Sequence, residues 1–411
     1  MQPILKGLRI VEGSAFIAAP SAGMTLAQLG ADVIRFDMIG GGIDYRRWPV
    51  TAEGKSLYWH SLNKGKRSIA VDFRSNEGRE LLTQLITAPG DDAGLFVTNF
   101  PAKGWLSYEA LRKHREDLIF INLTGDRHGG SALDYTVNSK VGLPYLSGDG
   151  EAPVNNPFPA WDVITGQQIA MGLLAAERHR RLTGEGQFIA IALADVALAT
   201  MGHLGYIAEA QLNGMARQPM GNHIFGTFGH DFACRDGKRV MVVGVSPKQW
   251  QALVKVTGTE AAIDVLRQEL QLDFNREGDR FQAKEQIREL FTPWFATHEF
   301  LVVAKALDAE GATWGPYQNI DELVNEDIDC SEDNPLFQTV TQPGIGDYLV
   351  PGQPLSFGVT ERELMHPAPL LGQHTDEILS ELLGLGDAEI GALHDKGVVA
   401  GLNNKTLGRK I

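Results

Sequence analysis

Short apolar runs alternate with helical patterns along the first half of the chain. The runs cover residues 8–12, 31–37, 69–72, 94–100, 118–123 and 188–193. Runs of this length, separated by segments in which apolar residues recur every three or four positions, are typical of strands in βαβ units. The pattern predicts an α/β fold in which a Rossmann-like large domain is built on a parallel sheet.

The pattern changes near residue 214, where a second, smaller α+β domain is predicted. A glycine–aromatic loop at 221–229 shows no periodicity, and the Asp236–Gly237 pair predicts a hairpin turn before a strand at 240–244. Residues 335–369 are rich in Pro and Gly, which indicates an extended return segment. The predicted organisation is a large domain at 1–212, a small domain at 213–330, and a return segment with a C-terminal helix at 331–411 that completes the large domain.

Asp162 stands just ahead of a long helical pattern in which apolar residues recur through residue 176. Thr165 and Gln168 have the spacing of a capping box, so Thr165 is predicted to cap the helix and to leave the Asp162 carboxylate free. The positive end of the helix would then help to keep Asp162 ionised. An ionised, partly desolvated carboxylate can act as a nucleophile, although a capping or turn role remains the alternative.

The charge balance restricts the possible partners. Thirty-seven Lys and Arg stand against 51 Asp and Glu, for a net charge of −14, which gives no general attraction to nucleic acid or to anionic membranes. The two cysteines, Cys234 and Cys330, form neither a disulfide framework nor a metal-binding pattern, and they predict a cytoplasmic protein. The first residues lack the apolar core of a signal peptide, and no apolar run is long enough to cross a bilayer.

Three further motifs carry weaker signals. The loop at 13–20 lacks the G-x-G-x-x-G pattern, which disfavours a nicotinamide dehydrogenase. Lys64, Lys66 and Arg67 surround one glycine and could meet a phosphate, or they could form a solvated turn. His374 and Asp376 have no third ligand nearby in the sequence, so no metal is predicted. A further helix is expected at 196–211.

Four collinear stretches resemble the family III CoA-transferases, to which formyl-CoA and carnitine CoA-transferases belong. They are residues 5–34, residues 63–69 with Asn99–Phe100, residues 162–166 with 183–187, and residues 369–379. The resemblance covers about residues 5–385. It implies an interlocked homodimer, an acyl-CoA substrate, and no cofactor beyond the coenzyme A of that substrate.

The resemblance also implies roles for individual residues. Asp162 falls on the family's catalytic aspartate, whose carboxylate attacks an acyl-CoA carbonyl. The loop at 221–229 falls on a mobile lid, and Ile17 stands where formyl-CoA transferase has a glutamine that touches the intermediate. Contacts with CoA or substrate are implied for Ile17, Ala18, Arg47, Lys66, Arg67, Asn99 and Phe100.

Finer details resemble members that move CoA between the two carboxyls of one branched unsaturated diacid. These details are residues 12–16, 99–108, 159–162 and 177–187. Lys103 and Arg127 are candidates to hold the free carboxylate of such a substrate. The alternatives are an intermolecular transferase for another dicarboxylic acid, an acyl-CoA racemase, and a catalytically inactive CoA-binding protein.

Overall fold

The computed structural model describes residues 3–148, 150–214 and 217–402, which divide into two units. The first unit contains the described residues up to 141, residues 157–207 and the residues from 328 onward. The second unit contains residues 142–156 and 208–327. No helix in these ranges is both long and apolar enough to cross a membrane.

The first unit is built on a seven-stranded sheet with the order β12-β3-β2-β1-β4-β5-β6 in the described residues. Its strands are β1 (Arg9–Gly13), β2 (Asp32–Asp37), β3 (Arg67–Val71), β4 (Leu95–Thr98), β5 (Ile119–Thr124), β6 (Phe188–Ala192) and β12 (Val399–Ala400). The first six strands pair in parallel, and β12 pairs with β3 antiparallel. The predicted α/β fold with a mostly parallel sheet is confirmed.

The helices follow the strands closely along the chain. They are α1 (Ala18–Gln28), α2 (Leu57–Leu62), α3 (Asn76–Ile86), α4 (Tyr108–Arg112), α5 (Asp134–Lys140), α6 (Ala160–Thr183), α7 (Leu193–His203), α8 (Tyr206–Asn213), α9 (Pro247–Thr257), α10 (Glu260–Leu270), α11 (Glu277–Gln282), α12 (Lys284–Thr297), α13 (Phe300–Ala309), α14 (Ile320–Glu326), α15 (Thr375–Leu383) and α16 (Asp387–Asp395). The single helix expected at 196–211 is two helices, because the chain turns at Gly205, where φ is 82°.

Helices cover the sheet, so its central strands are buried along their length. Phe96 on β4 lies between Phe36 and Phe120, with ring centroids 6.2 and 4.9 Å away. All three side chains are fully buried. Burial on both faces explains why these strands appear in the sequence as continuous apolar runs.

Helices α1 and α6 approach each other closely near their N-terminal ends. A Cβ atom at Gly166 on α6 would overlap the Ser21 hydroxyl and would lie 2.8 Å from the carbonyl oxygen of Ala18 on α1. Only glycine therefore fits at this crossing. The contact brings the first turn of α6, with Asp162, beside the loop that joins β1 to α1.

The second unit has its own antiparallel sheet and its own core. The strands are β7 (Phe228–Ala233), β8 (Arg239–Gly244) and β9 (Thr313–Pro316), in that order. The Asp236–Gly237 turn joins β7 to β8, so the predicted hairpin is confirmed. Phe232 stacks on Phe295 with ring centroids 4.3 Å apart.

Residues 142–156 belong with the second unit, whereas the sequence had placed them in the large domain. The N–H of Gly221 donates to the carbonyl oxygen of Gly148 at 3.0 Å, and a Cβ at Gly150 would lie against the ring of Pro219. These contacts join chain segments far apart in sequence, which no local pattern can show.

The return segment is not wholly extended. It contains the hairpin of β10 (Phe337–Gln342) and β11 (Gly346–Pro351), whose turn uses Gly344 with φ of 75°. The Pro and Gly content therefore marks this turn as well as the irregular chain at 352–374. The side chain of Gln342 then fixes Ala368 through two hydrogen bonds, of 2.9 and 2.8 Å.

Candidate active site

Asp162 lies inside the first turn of α6, which begins at Ala160. Thr165 is therefore within the helix, where it is fully buried and its hydroxyl has no hydrogen-bond partner among the described residues. The predicted capping box is wrong. The cap comes from α5 instead, because the Asp134 carboxylate accepts the backbone N–H of Asp162 at 3.0 Å.

Burial sets the protonation of Asp162. It raises the pKa of this carboxyl to about 7, and the negative charge of Asp134 acts in the same direction. The positive charge of Arg47 opposes both effects. Loss of hydration therefore disfavours the ionised form of Asp162, which is opposite in direction to the effect expected from the helix end.

Asp162 lines a cavity of about 330 Å³ in the first unit. The other walls come from the β1–α1 loop with Ala15, Phe16 and Ala18, from residues 99–101 after β4, and from the loop after β5. Ligands in parallel sheets bind beyond the carboxyl ends of the strands, and three strand ends meet here. The structure thus brings Asp162, Ala18, Asn99 and Phe100 together.

Asn99 holds the β1–α1 loop in place. Its amide oxygen accepts the N–H of Ala15 at 3.0 Å, and its amide nitrogen donates to the carbonyl oxygen of Ala15 at 2.8 Å. The next residue, Phe16, has a φ of 70° and donates its N–H to Asp44 at 3.0 Å. Asn99 therefore shapes the cavity through the loop.

The start of α1 offers backbone donors to the cavity. Ile17 is the N-cap residue and has no side-chain acceptor, so the first N–H groups of the helix are not capped. Ala18, the first helical residue, lines the same cavity as Asp162. Uncapped N–H groups at the positive end of a helix stabilise negative charge.

Arg47 lies close enough to Asp162 to lower its pKa. Its guanidinium stacks on Phe16 and on Tyr58, at 5.3 and 5.4 Å from the ring centroids. Arg47 is otherwise exposed, so its fork of donors can still turn to a ligand. The structure therefore places this predicted residue beside the carboxylate.

Lys66 and Arg67 do not line the cavity. The Lys66 ammonium is fully buried, where it donates to both oxygens of Glu12 at 3.0 and 2.9 Å, to Asn63 at 2.9 Å and to the carbonyl oxygen of Pro20 at 2.8 Å. Arg67 pairs with Asp32, Glu377 and Glu381 at 2.7 to 3.1 Å. These contacts give both cations structural roles, and the structure does not bring Lys66 to a ligand.

Lys103 and Arg127 are exposed, and neither is part of the cavity wall. Lys103 follows residues 99–101, and Arg127 lies in the loop after β5, so both are near segments that form the wall. Asp134 was not predicted to be a site residue. Its effect on Asp162 depends on a contact across 28 residues of chain.

The fold places a carboxylate in a cavity at the carboxyl ends of the strands, and a family comparison identifies the class of enzyme as a CoA-transferase. Residues 5–375 match the model of CoA-transferase family III. The chain belongs to that family.

Comparison with individual proteins shows which members of the family this chain resembles. The chain is 59% identical over 404 residues to 2-methylfumaryl-CoA isomerase of Chloroflexus aurantiacus, covering 98% of this chain and 99% of that protein. It is 28% identical to succinyl-CoA:mesaconate CoA-transferase of Haloarcula hispanica, over 92% of this chain and 96% of that protein. A CAIB/BAIF family protein from Brucella suis has the same fold, with a TM-score of 0.76 and 24% identity over 93% of this chain and 100% of its own.

Proposed function

We propose that the protein moves coenzyme A between the C1 and C4 carboxyls of one diacid, converting 2-methylfumaryl-CoA to 3-methylfumaryl-CoA. The observation that carries this proposal is the 59% identity, over nearly the full length of both chains, to an isomerase of 2-methylfumaryl-CoA. The cavity around Asp162 supplies the chemistry that such a transfer needs.

Asp162 is the nucleophile of the first step. Its carboxylate attacks the thioester carbonyl, the C–S bond breaks, and a mixed anhydride and the CoA thiolate are formed. With a pKa of about 7, Asp162 is ionised in a large fraction of molecules at neutral pH. Its raised basicity also makes the ionised form a stronger nucleophile.

The thiolate then attacks the aspartyl carbonyl of the anhydride. This step expels the diacid carboxylate and leaves an aspartyl-CoA thioester. The other carboxylate of the retained diacid attacks that thioester, which gives a second anhydride at C4 and releases the thiolate again. Attack of the thiolate at the C4 carbonyl completes the transfer and regenerates the Asp162 carboxylate.

Each attack creates an oxyanion, and the start of α1 is suited to stabilise it. The uncapped N–H groups beside Ile17 and Ala18 lie at the positive end of an 11-residue helix. Preorganised backbone donors of this kind typically contribute a factor of about 10²–10³ to the rate. Asn99 contributes by fixing the loop that leads into these donors.

The diacid has to stay bound while CoA changes ends. A retained carboxylate reacts at an effective concentration far above that of any free acid. Arg47 is well placed to hold the second carboxylate, because it lies beside Asp162 and is kept in position by two aromatic rings. Lys103 and Arg127 remain candidates for the same role from the neighbouring loops.

We further propose that the enzyme is an interlocked homodimer in the cytoplasm. Large apolar side chains are exposed along α6, β6 and the end of α7, including Met171, Leu182, Phe188 and Leu204. Such a surface suits a partner chain better than water. Both cysteines are free, as expected in a reducing compartment. A stable monomer in sedimentation at micromolar concentration would exclude the dimer.

An isotope experiment tests intramolecular transfer. The enzyme is incubated with 2-methylfumaryl-CoA and an excess of labelled free mesaconate, succinate and acetate, and label is followed into the thioester pool. We expect CoA to migrate between the carboxyls with almost no label entering. Entry of label as fast as isomerisation would instead establish an intermolecular transferase, the activity named for the Haloarcula relatives.

A trapping experiment tests the nucleophile. Hydroxylamine attacks acyl-aspartyl species, so in the presence of substrate it should modify Asp162 and inactivate the enzyme. Asp162→Asn should leave the fold intact and resist this modification. Retained turnover in Asp162→Ala would refute the covalent mechanism.

A further inference from the structure

A second cavity in the first unit surrounds Lys64. It has a volume of about 230 Å³ and shares no lining residue with the cavity around Asp162. Besides Lys64 and Gly65, its walls come from Pro3, from the end of α1 and the turn after it (residues 27, 28, 30 and 31), and from the return segment at 352–353 and 363–366. Nothing in the reaction described above uses it.

The Lys64 side chain is largely buried in this wall, and no described residue supplies a counter-ion. Its residue exposure is only 6%, and no described residue accepts a hydrogen bond from its ammonium or forms an ion pair with it. Lys66, two residues further along, is equally buried but has Glu12, Asn63 and a carbonyl oxygen as acceptors. Because the Lys64 ammonium is not among the fully enclosed polar atoms that lack a partner, it reaches the open space of the cavity. No carboxylate of the described residues is paired with it there, although the chain is rich in carboxylates.

The electrostatic surroundings of Lys64 also indicate that no carboxylate of the described residues is paired with it. Burial alone lowers the pKa of Lys64 to about 8, and no carboxylate lies close enough to oppose that effect. Glu363 lines the cavity but is partly exposed, so its charge can remain in water. The sequence left two interpretations open for the three cations around Gly65, a phosphate contact or a solvated turn. The structure pairs Lys66 and Arg67 with acids and leaves Lys64 available.

Close contacts within the return segment, and between it and Gly65, hold the walls of this cavity in place. A Cβ at Gly352 would lie 2.8 Å from the Met365 side chain, and the N–H of Gly65 donates to the carbonyl oxygen of Pro367 at 3.2 Å. Gln353, which is 7% exposed, uses its amide oxygen to accept the N–H of Leu355, so its amide nitrogen has no acceptor among the described residues. Two donor groups, on side chains that are largely buried, thus face one small cavity.

We propose that this cavity binds a small oxyanion, a carboxylate or inorganic phosphate, whose charge pairs with the Lys64 ammonium and whose oxygens accept from Gln353. The anion would accept the hydrogen bonds of the Lys64 ammonium, for which no described residue provides an acceptor. Its binding joins the return segment to the turn after α1, because both contribute to the wall. Binding of the anion therefore stabilises the contact between these two segments of the first unit.

Competitive labelling of the full-length protein tests the proposal. Acetic anhydride is pulsed in a chloride buffer, alone or with inorganic phosphate, succinate, acetate or free CoA at equal ionic strength, and acetylation of each lysine is read by peptide mass spectrometry. A ligand at about ten times its dissociation constant leaves roughly a tenth of the sites empty. We expect phosphate or a carboxylate to slow acetylation of Lys64 about tenfold, while exposed Lys113 is unchanged.

A second measurement does not depend on labelling. The protecting anion should raise the thermal midpoint of the wild-type protein and of Lys113→Met, but not that of Lys64→Met. If Lys64→Met does not fold, the labelling of the wild type still decides.

Equal acetylation of Lys64 with and without every anion would overturn the proposal. Protection by CoA but by neither phosphate nor a carboxylate would also overturn it, because the site would then belong to the acyl-CoA substrate. Protection that is also seen in Asp162→Asn would show that the anion acts at Lys64 and not through catalysis.

Discussion

Replacing Asp134 by asparagine separates its two effects on Asp162, the hydrogen bond to the backbone N–H and the negative charge that raises the pKa. Asparagine keeps an oxygen that can accept the N–H of Asp162, so the cap on α6 is retained. It removes the negative charge that helps to raise the pKa of Asp162. The pKa of Asp162 should therefore fall while the fold stays intact.

The size of the fall follows from the spacing of the two groups. Asp134 Oδ2 lies 3.0 Å from the backbone nitrogen of Asp162. Two unit charges about 5 Å apart interact by roughly 0.8 kcal/mol in water and ~3 kcal/mol at an effective dielectric constant of about 20. Since one pKa unit corresponds to about 1.4 kcal/mol, the pKa of Asp162 should fall by about one to two units.

The assay is the pH dependence of kcat/KM for 2-methylfumaryl-CoA. In the wild type, the rate should rise through a pKa of about 7, because only the ionised carboxylate attacks the thioester. Asp134→Asn should move this acidic limb to lower pH by about one to two units and lower the plateau, since a less basic carboxylate is a weaker nucleophile.

Two controls make the result decisive. Asp134→Ala should shift the limb in the same direction and also lower the stability by about 1 kcal/mol, because the cap is lost. Asp236→Asn changes a carboxylate that accepts a backbone N–H at the same 3.0 Å distance in the second unit, and it should leave the limb in place. A folded Asp134→Asn enzyme whose acidic limb coincides with that of the wild type would refute the reasoning.

Three further predictions follow from the same geometry. Arg47→Ala should move the acidic limb upward, opposite to Asp134→Asn, because Arg47 lowers the pKa of Asp162; an unmoved limb would mean that Arg47 does not act on this carboxylate. Because the pKa of Asp162 is higher in the folded state than in the unfolded state, the free energy of unfolding of the wild type should fall as pH rises towards 7. Asp162→Asn lacks this ionisation, so its free energy of unfolding relative to the wild type should increase by about 1–3 kcal/mol between pH 5 and pH 8, as measured by thermal unfolding. Gly166→Ala should lower both stability and kcat by separating α1 from α6, whereas Gly172→Ala on the same helix, where a Cβ meets nothing within 4 Å, should raise stability by about 0.5–1 kcal/mol.

The fold was predictable from the sequence wherever the signal is local. Each strand of the parallel sheet is a short apolar run, and the Asp236–Gly237 turn determines its hairpin without help from distant residues. The hairpin of β10 and β11 was missed because a segment rich in Pro and Gly reads equally well as irregular chain. The split of the helix at Gly205 was missed because an apolar helical pattern does not require an unbroken helix.

The site was predictable only in part, since its electrostatics depend on long-range contacts. The family resemblance implied the role of Asp162, but the cap and the raised pKa of this residue depend on Asp134 and on burial. Lys66 appeared to be a solvated or ligand-binding cation. Its partner Glu12 lies 54 residues earlier on β1, which is separated from β3 by β2 in the sheet, so no local pattern indicates the contact.

The raised pKa of Asp162 also bears on which way each anhydride breaks. A cavity that disfavours a carboxylate anion at Asp162 makes that side chain a poor leaving group. When the thiolate returns to the first anhydride, expulsion of Asp162 would simply restore the substrate, whereas expulsion of the diacid carboxylate carries the reaction forward. Burial of one carboxyl thus biases both anhydrides towards the aspartyl thioester. At the first anhydride this bias carries the reaction forward, whereas at the second it slows the expulsion of Asp162 that releases the product.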